Sequence, residues 1–429
     1  MDTALRLAAE QIESQPVIVS SALAGVTDTL VSLAAQAAVG DTETVNKSLA
    51  ELENRHYDAV ADLHNSEEAM ARLSSLLEEL KGLLRGLSLL KECSPRTHDA
   101  VLAFGELLST NCLHARAVAA GLDAVLLDAR EFIATDSGFT AAVPDFAKTK
   151  HAVGKLFKPV RGRLYITQGF IGRAPNGATT TLGRGGSDFT ATILGAALGA
   201  SEVQIWTDVD GIMTSDPRIV SGAYTLDALS YEEAAELAYF GAKVVHPSTI
   251  QPAIECGIPV LVKNSANPDG PFTAIRGDAP GRGIRAIAGK KRITLISITS
   301  SRMLNAYGFL SRIFAVFEQH RTSVDLVATS EVSVSLTIDN NANIDRIVES
   351  LDKYGTVSVE QDKAIICLVG KDLWKDSSFI AEAFNSLKNI QIRMISLGSS
   401  DINLSLVVPE TELESAIQTL HRRFFSSGS

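Results

Sequence analysis

The chain of 429 residues, 45% hydrophobic and 21% charged, has the composition of an ordinary globular protein with room for two or three domains, which excludes disordered and fibrous classes. Its net charge of −11 supplies no global basic field to attract nucleic acid or an anionic membrane, so an acidic small substrate would need a local positive site. Four cysteines, at 93, 112, 256 and 367, are too scattered for a zinc pattern and too few for a disulfide framework, which suits a reducing, cytoplasmic setting, and no apolar run reaches the ~18 residues of a membrane span.

A helical pattern covers residues 3–14, and Pro16 then leads into VIVSSA, an apolar run of strand length. This acidic, amphipathic start reads as neither signal nor transit peptide. A loop, LAGVTD, and another helix follow. Between about 41 and 90 the apolar residues recur every three or four positions, predicting two or three amphipathic helices. The next helix, near 97–120, contains FGELLST and ends at Gly121. Strands then alternate with helices: DAVLLDA, a helix near 147–157, RLYITQGFI, a glycine-rich loop, a helix near 188–199, EVQIWTD, a helix at YEEAAELAYFG, and IPVLVKN. Such alternation predicts an α/β fold with a mostly parallel sheet between helical layers. Residues 266–291, rich in Gly, Pro and charge, mark the natural domain boundary.

Beyond that boundary the chain repeats itself without gaps at an offset of 70 residues. Phe309 aligns with Phe379, Phe314 with Phe384, Ser330 with Ser400, Ser335 with Ser405 and Leu336 with Leu406. Each copy reads strand, helix, strand, hairpin strand, helix, and SEVSVSLTI and SSDINLSLVV alternate with the period of a half-buried strand. The order is that of a ferredoxin-like βαββαβ unit. On fold alone, a duplicated sandwich that only dimerises is an equal reading.

The most informative stretch is TTTLGRGGSDFTATILGAALGA, residues 179–200. Its glycines allow backbone amides to approach an anion, Ser187 is a good N-cap, and the positive end of the following helix faces the same point. Arg184 adds a planar fork for a carboxylate or phosphate, and Asp188 is placed to orient an ammonium group or metal-bound water. Taken alone, a glycine cluster is more often a loop; this one lies between a strand and a helix, where open α/β sheets bind ligands. Further on, WTDVDGIMTSDPR packs Asp208, Asp210 and Asp216 together, either to hold Mg²⁺ or as a solvated turn. Lys243 in FGAKVVHP is a surface lysine or a clamp on phosphates. Glu106, on an otherwise apolar helix face, is either an exposed charge or a buried partner for an ammonium group.

Together these segments, with SALAGVTD, YITQGFIG, GFLSRIF and SVDLVATSEVSVSLT in the same order, closely resemble the aspartokinases of the amino-acid kinase family, from about residue 3 to the C-terminus. The resemblance implies an amino-acid kinase domain over 1–283 and tandem ACT regulatory domains over 284–429, about 290–358 and 359–429, either separate or intertwined. It implies Mg²⁺-dependent transfer of the γ-phosphoryl group of ATP to the side-chain carboxylate of L-aspartate, the first step towards lysine, threonine and methionine. By motif, Arg184 would grip the substrate's α-carboxylate and Glu106 its ammonium group, with Ser21, Thr27, Gly185, Gly186, Ser187 and Asp188 completing the pocket. Thr207, Asp208, Met213, Arg218, Lys243 and Val244 would hold the nucleotide, Met213 standing where the family often has tyrosine. An amino-acid effector, lysine above all, would sit near Met303, Ala306, Phe309, Leu310, Val324, Asp325, Ser330 and Glu331. Inhibition through paired ACT domains implies a homodimer or higher oligomer.

Members of the family begin with a strand bearing K-F-G-G-[ST]-S, whose lysine neutralises the transferring phosphoryl group. The first residues here match the helix that follows that strand, so a start placed too far downstream or a shortened chain is the expectation. The competing readings are a catalytically impaired amino-acid sensor, and a related kinase acting on another carboxylate such as glutamate.

Overall fold

Helix and strand follow one another as the periodicity predicts, and short-range chemistry sets most of their ends. A computed structural model describes every residue except Asn65, 242–244, Asp278, 280–282, 305–306, Asp376, 399–400 and 426–429, and the side chain of Trp374. Two units result: residues 1–206 with 248–261, and residues 207–247 with 262–429.

The first unit contains α1 (Asp2–Glu10), β1 (Val17–Ser20), α2 (Val26–Val39), α3 (Thr42–Asp58), α4 (Ser66–Leu90), α5 (Pro95–Leu102), α6 (Phe104–Ala119), β2 (Asp123–Leu127), α7 (Phe146–Leu156), β3 (Arg163–Gln168), β4 (Ile171–Arg173), β5 (Thr179–Thr181), α8 (Gly186–Leu198) and most of β6 (Val203–Thr207). The chain then forms β7 (Ala228–Leu229) and α9 (Tyr231–Tyr239) in the second unit. It returns to the first for α10 (Gln251–Cys256) and leaves it along β8 (Val260–Asn264).

Leucine spacing decides the largest layer of the first unit. Leu73, Leu77, Leu80, Leu84 and Leu87 form one apolar face of α4 and are buried against Leu30 and Leu33 of α2 and Leu108 of α6. Each fully buried leucine contributes about 1.5–3 kcal/mol relative to an exposed one. Beside this layer lies a parallel sheet in the order β1, β3, β2, with Tyr165 opposite both Val17 and Val125. The single helix expected near 97–120 is two, meeting at Ala103. Ser94 caps α5 by accepting from Thr97 N, and Pro95 occupies its first turn. Hydrogen bonds from Ala103 N to Asp99 O and from Leu107 N to Ala103 O carry the helical path across the junction.

The second unit continues with β9 (Thr273–Ile275), β10 (Gly283–Thr299), α11 (Phe309–Gln319), β11 (Val327–Thr329), β12 (Ser333–Ile338), α12 (Ile344–Leu351), β13 (Thr356–Lys371), α13 (Ser377–Ser386), β14 (Met394–Leu397), β15 (Asn403–Pro409) and α14 (Leu413–Phe425). The repeat is present, and its copies share strands. One sheet runs β11, β12, β10, β13, β15, β14. Residues 294–299 of β10 pair with β12, while residues 283–290 pair with the far end of β13, Gly283 opposite Lys371 and Lys290 opposite Ile365. Residues 363–369 of β13 in turn pair with β15. Each βαββ segment therefore takes its fourth strand from the other copy's long strand. The stretch expected as a boundary loop, 266–291, accordingly contains β9 and half of β10.

Residues 207–247 pack into this same unit. Ile287 N donates to Thr214 O, Thr214 Oγ1 lies 2.9 Å from His421 Nε2, Arg285 Nη2 donates to Ala228 O, and Asn403 Nδ2 donates to Glu236 Oε2.

Candidate active site

After β5 ends at Thr181 the chain turns through Gly183 and Gly185, at φ +77° and +69°, and α8 starts at Gly186. Gly185, not Ser187, is the N-cap, and it makes no side-chain bond. The cause is steric: a Cβ on Gly186 would lie 2.6 Å from Phe170 Cδ2, so only glycine lets the helix start close on residues 169–170. Phe170 is itself left-handed at φ +67° and is fixed by its amide to Thr190 Oγ1 and by its carbonyl from Leu182 N. In the first turn of α8 the Gly186 amide donates to Gly183 O and the Phe189 amide to Gly185 O, which leaves the Ser187 and Asp188 amides and the positive end of the helix for an anion. Arg184, at the tip of this loop, is exposed and has no ion pair among the described residues.

Glu106 is brought to the same place by close helix packing. A Cβ on Gly105 would stand 2.8 Å from the Cβ of Ala22, so glycine allows α6 to touch the 21–25 loop. Across that contact the Ala22 amide donates to Glu106 Oε1 at 3.2 Å. Glu106 is 3% exposed, and its Oε2 is buried without a hydrogen-bond partner in the described structure. Burial pushes its carboxyl up to about 7, against the pull of the Ala22 amide. Of the exposed and buried alternatives for this position, Glu106 is buried, with one carboxylate oxygen left unsatisfied. Burial likewise raises Asp188 to about 6.

Ser21, Thr27, Glu106, Arg184, Gly185, Gly186, Ser187 and Asp188 all line one open cavity of about 460 Å³. Every residue expected for the acidic substrate is therefore in one place. Gly183 of the same cradle lines the cavity too, and His98, Leu102, Thr140, Phe170 and Thr181, not expected from the sequence, complete its walls. His98 and Leu102 had a readable signal, since they precede Glu106 at intervals of four residues and so share its helical face.

The residues expected for the nucleotide lie in the second unit, apart from Lys243 and Val244, which fall outside the described residues. Thr207 Oγ1 donates to Asp208 Oδ1, Ser265 N donates to Thr207 O, and Asp210 Oδ1 accepts from Asn264 and Asn267. Met213 forms an isolated bridge with Thr225. Arg218 is exposed, and its guanidinium is paired with Asp216, the turn-type arrangement left open for that aspartate. Among the described residues, no group of three His, Cys, Asp or Glu side chains is arranged to hold a metal ion.

Of the residues expected for an effector, Ala306 lies outside the described set, Phe309 is buried, and Leu310 and Glu331 are exposed. Met303 and Val324 pack against the core of the first repeat. Ser330 closes a turn by accepting from Ser333 N. Asp325 is already engaged: Tyr239 OH donates to its Oδ1 at 2.6 Å and Lys290 Nζ at 2.8 Å, while Oδ2 is buried without a partner in the described structure. Lys290 also meets Asp339 at 2.9 Å and lies 4.6 Å from the Tyr239 ring centroid.

A glycine-lined loop bearing an exposed guanidinium and a buried carboxylate line one cavity on an α/β scaffold. Comparison with known proteins agrees. Residues 3–264 match the amino acid kinase family and residues 366–424 an ACT domain. The chain is 40% identical to chloroplastic aspartokinase 1 of Arabidopsis thaliana over 97% of its own length and 76% of that protein. It is 38% identical to lysine-sensitive aspartokinase 3 of Escherichia coli K12 over 95% of its length and 92% of the relative. It superposes on E. coli aspartokinase III in complex with aspartate and ADP, in the R-state, with a TM-score of 0.85 at 36% identity, covering 98% of this chain and 96% of that one. The lysine and aspartate complex of the same enzyme, in the T-state, gives 0.81 at the same identity and coverage. The chain belongs to the amino acid kinase family and, within it, to the aspartokinases. Among the described residues no helix is long and apolar enough to cross a membrane.

Proposed function

We propose that this protein catalyses ATP + L-aspartate → ADP + 4-phospho-L-aspartate, with the cavity around Arg184 and Glu106 as the aspartate site. The observation that carries the reading is the presence in one pocket of an exposed guanidinium and a buried, unsatisfied carboxylate, a match to an α-amino acid zwitterion. Arg184 and the first-turn amides of α8 bind the α-carboxylate, and Glu106 takes the ammonium group. The side-chain carboxylate then attacks the γ-phosphorus of ATP as the bond to the ADP oxygen breaks. Such a transfer needs in-line placement and neutralisation of oxygens rather than covalent work by the protein.

Thr207, Asp208, Met213 and Arg218 are the nucleotide-side residues of this reading, with Lys243 and Val244 further along the chain. Mg²⁺ is normally held by phosphates, water and one or two carboxylates, and on the nucleotide side Asp208, beside Thr207, is the carboxylate that would serve. The ion would supply positive charge to the phosphate oxygens. The expected test is a hydroxamate assay in which Arg184→Ala raises the KM for aspartate far more than that for ATP. Equal effects on both would remove Arg184 from this role.

Feedback control by an amino acid, lysine in the first instance, is supported by Asp325 standing next to Tyr239, at the end of α9 and four residues before Lys243. An effector ammonium arriving at Asp325 competes with Lys290, so binding there reaches the helix that precedes the nucleotide segment. The proposed functional form is at least a dimer through the ACT sheet. An active monomer at assay concentration, still fully inhibited by lysine, would sink that part of the proposal.

A further inference from the structure

We propose that Asp99 is a positioning residue for the aspartate pocket: it ties the wall bearing Glu106 to the wall bearing Arg184, and so sets the spacing of the two grips. The inference rests on the pocket reading given above and adds a residue to it. Asp99 is fully buried on α5. Its Oδ2 accepts from Thr140 N and from Thr181 N, both at 2.9 Å, and its Oδ1 accepts from Thr181 Oγ1 at 2.9 Å. His98 Nδ1 is 4.0 Å from Oδ1, beyond hydrogen-bond reach, so three donors of the pocket walls do the satisfying.

Those donors belong to the segments that carry the cradle. Thr181 ends β5, three residues before Arg184, and Thr140 lines the cavity beside it. Thr140 is held at φ +74°, a region unfavourable for a β-branched residue that persists only where neighbours over-determine it. Two further contacts join the same segments: Ala142 N donates to Thr181 O, and a Cβ on Gly183 would reach Thr140 O and Ala141 Cβ at 3.4 Å. On its other side Asp99 precedes Glu106 by two turns, and the bonds from Ala103 N to Asp99 O and from Leu107 N to Ala103 O carry the helical path between them. One buried carboxylate thus references both grips to each other.

The test is L-aspartate and ADP binding to the full chain by calorimetry, with thermal unfolding in parallel. Asp99→Ala is expected to weaken L-aspartate at least ~10-fold while leaving ADP within ~2-fold, the scale of losing satisfied buried donors. Asp99→Asn keeps an acceptor for both amides and should bind L-aspartate within ~3-fold of the parent. Unchanged aspartate binding in Asp99→Ala, or equal weakening of both ligands, overturns the assignment. Should Asp99→Ala not fold, the pair Asp99→Asn and Thr181→Val decides: a near-parent Asn variant with a several-fold weaker Val variant supports the role, and any other pattern overturns it. A parent chain that binds no L-aspartate, or binds it indifferently to Arg184→Ala, overturns instead the pocket reading beneath the proposal.

Discussion

Glu106 shows how burial sets the working range of a single group. Its carboxyl, raised to about 7, is largely protonated in the empty pocket below that pH, yet an ammonium ligand requires the carboxylate. Apparent affinity for L-aspartate should therefore fall as pH drops through 7 towards 6, where Asp188 begins to add its own proton. Measured as kcat/KM against pH, this acidic limb should vanish in Glu106→Gln along with most activity; a parent profile flat from 5.5 to 8 would contradict it. Stability runs the opposite way. A carboxyl whose folded pKa lies above its unfolded value favours the native state most below the ordinary carboxylate range, and that contribution is lost as pH rises through about 7. Bound aspartate should oppose the loss, so the ligand-induced rise in Tm is expected to be larger at pH 8 than at pH 6.

Elements place these groups through a few close approaches. Alanine in place of a helical glycine ordinarily stabilises by about 0.5–1 kcal/mol, but Gly105→Ala would force its methyl to 2.8 Å from Ala22. Overpacking of that kind costs about 1–3 kcal/mol, so a lower urea midpoint together with weaker aspartate binding is expected, from displacement of α6 and its Glu106. Much at this scale was legible in the chain. Periodicity located α4 and β3, and the glycines around Arg184 located the anion cradle, because local chemistry produces those features. The start of α8 was not legible, since Gly186 is needed for contact with Phe170 rather than for capping. Nor was the strand at 283–290, whose partners lie about 80 residues further on and leave no trace in its own Gly-rich composition. His98 shares its helical face with Glu106 but carried no motif, and the donors that satisfy Asp99 lie far along the chain, in Thr140 and Thr181.

For the repeat region as a whole, strand exchange makes the two copies one folding unit. Residues 359–429 expressed alone would leave β13 without the partner strand that 283–290 provides, an unpaired apolar edge. That fragment should show no cooperative thermal transition as a monomer, whereas 283–429 should; a well-folded monomeric 359–429 would contradict the exchange. The same sheet receives residues 207–247, which include the expected nucleotide residues, through Thr214, Ala228 and Glu236.

This last packing has a consequence for synthesis on the ribosome, where the chain emerges N-terminus first. Thr214 waits for Ile287 and His421, and Glu236 waits for Asn403, so the segment from 207 to 247 cannot finish folding when it is made. It must stay open for nearly two hundred further residues, until α14 is released. A polypeptide terminated early, before the regulatory strands exist, should therefore be a fold with an aspartate pocket and an incomplete nucleotide side, unable to consume ATP.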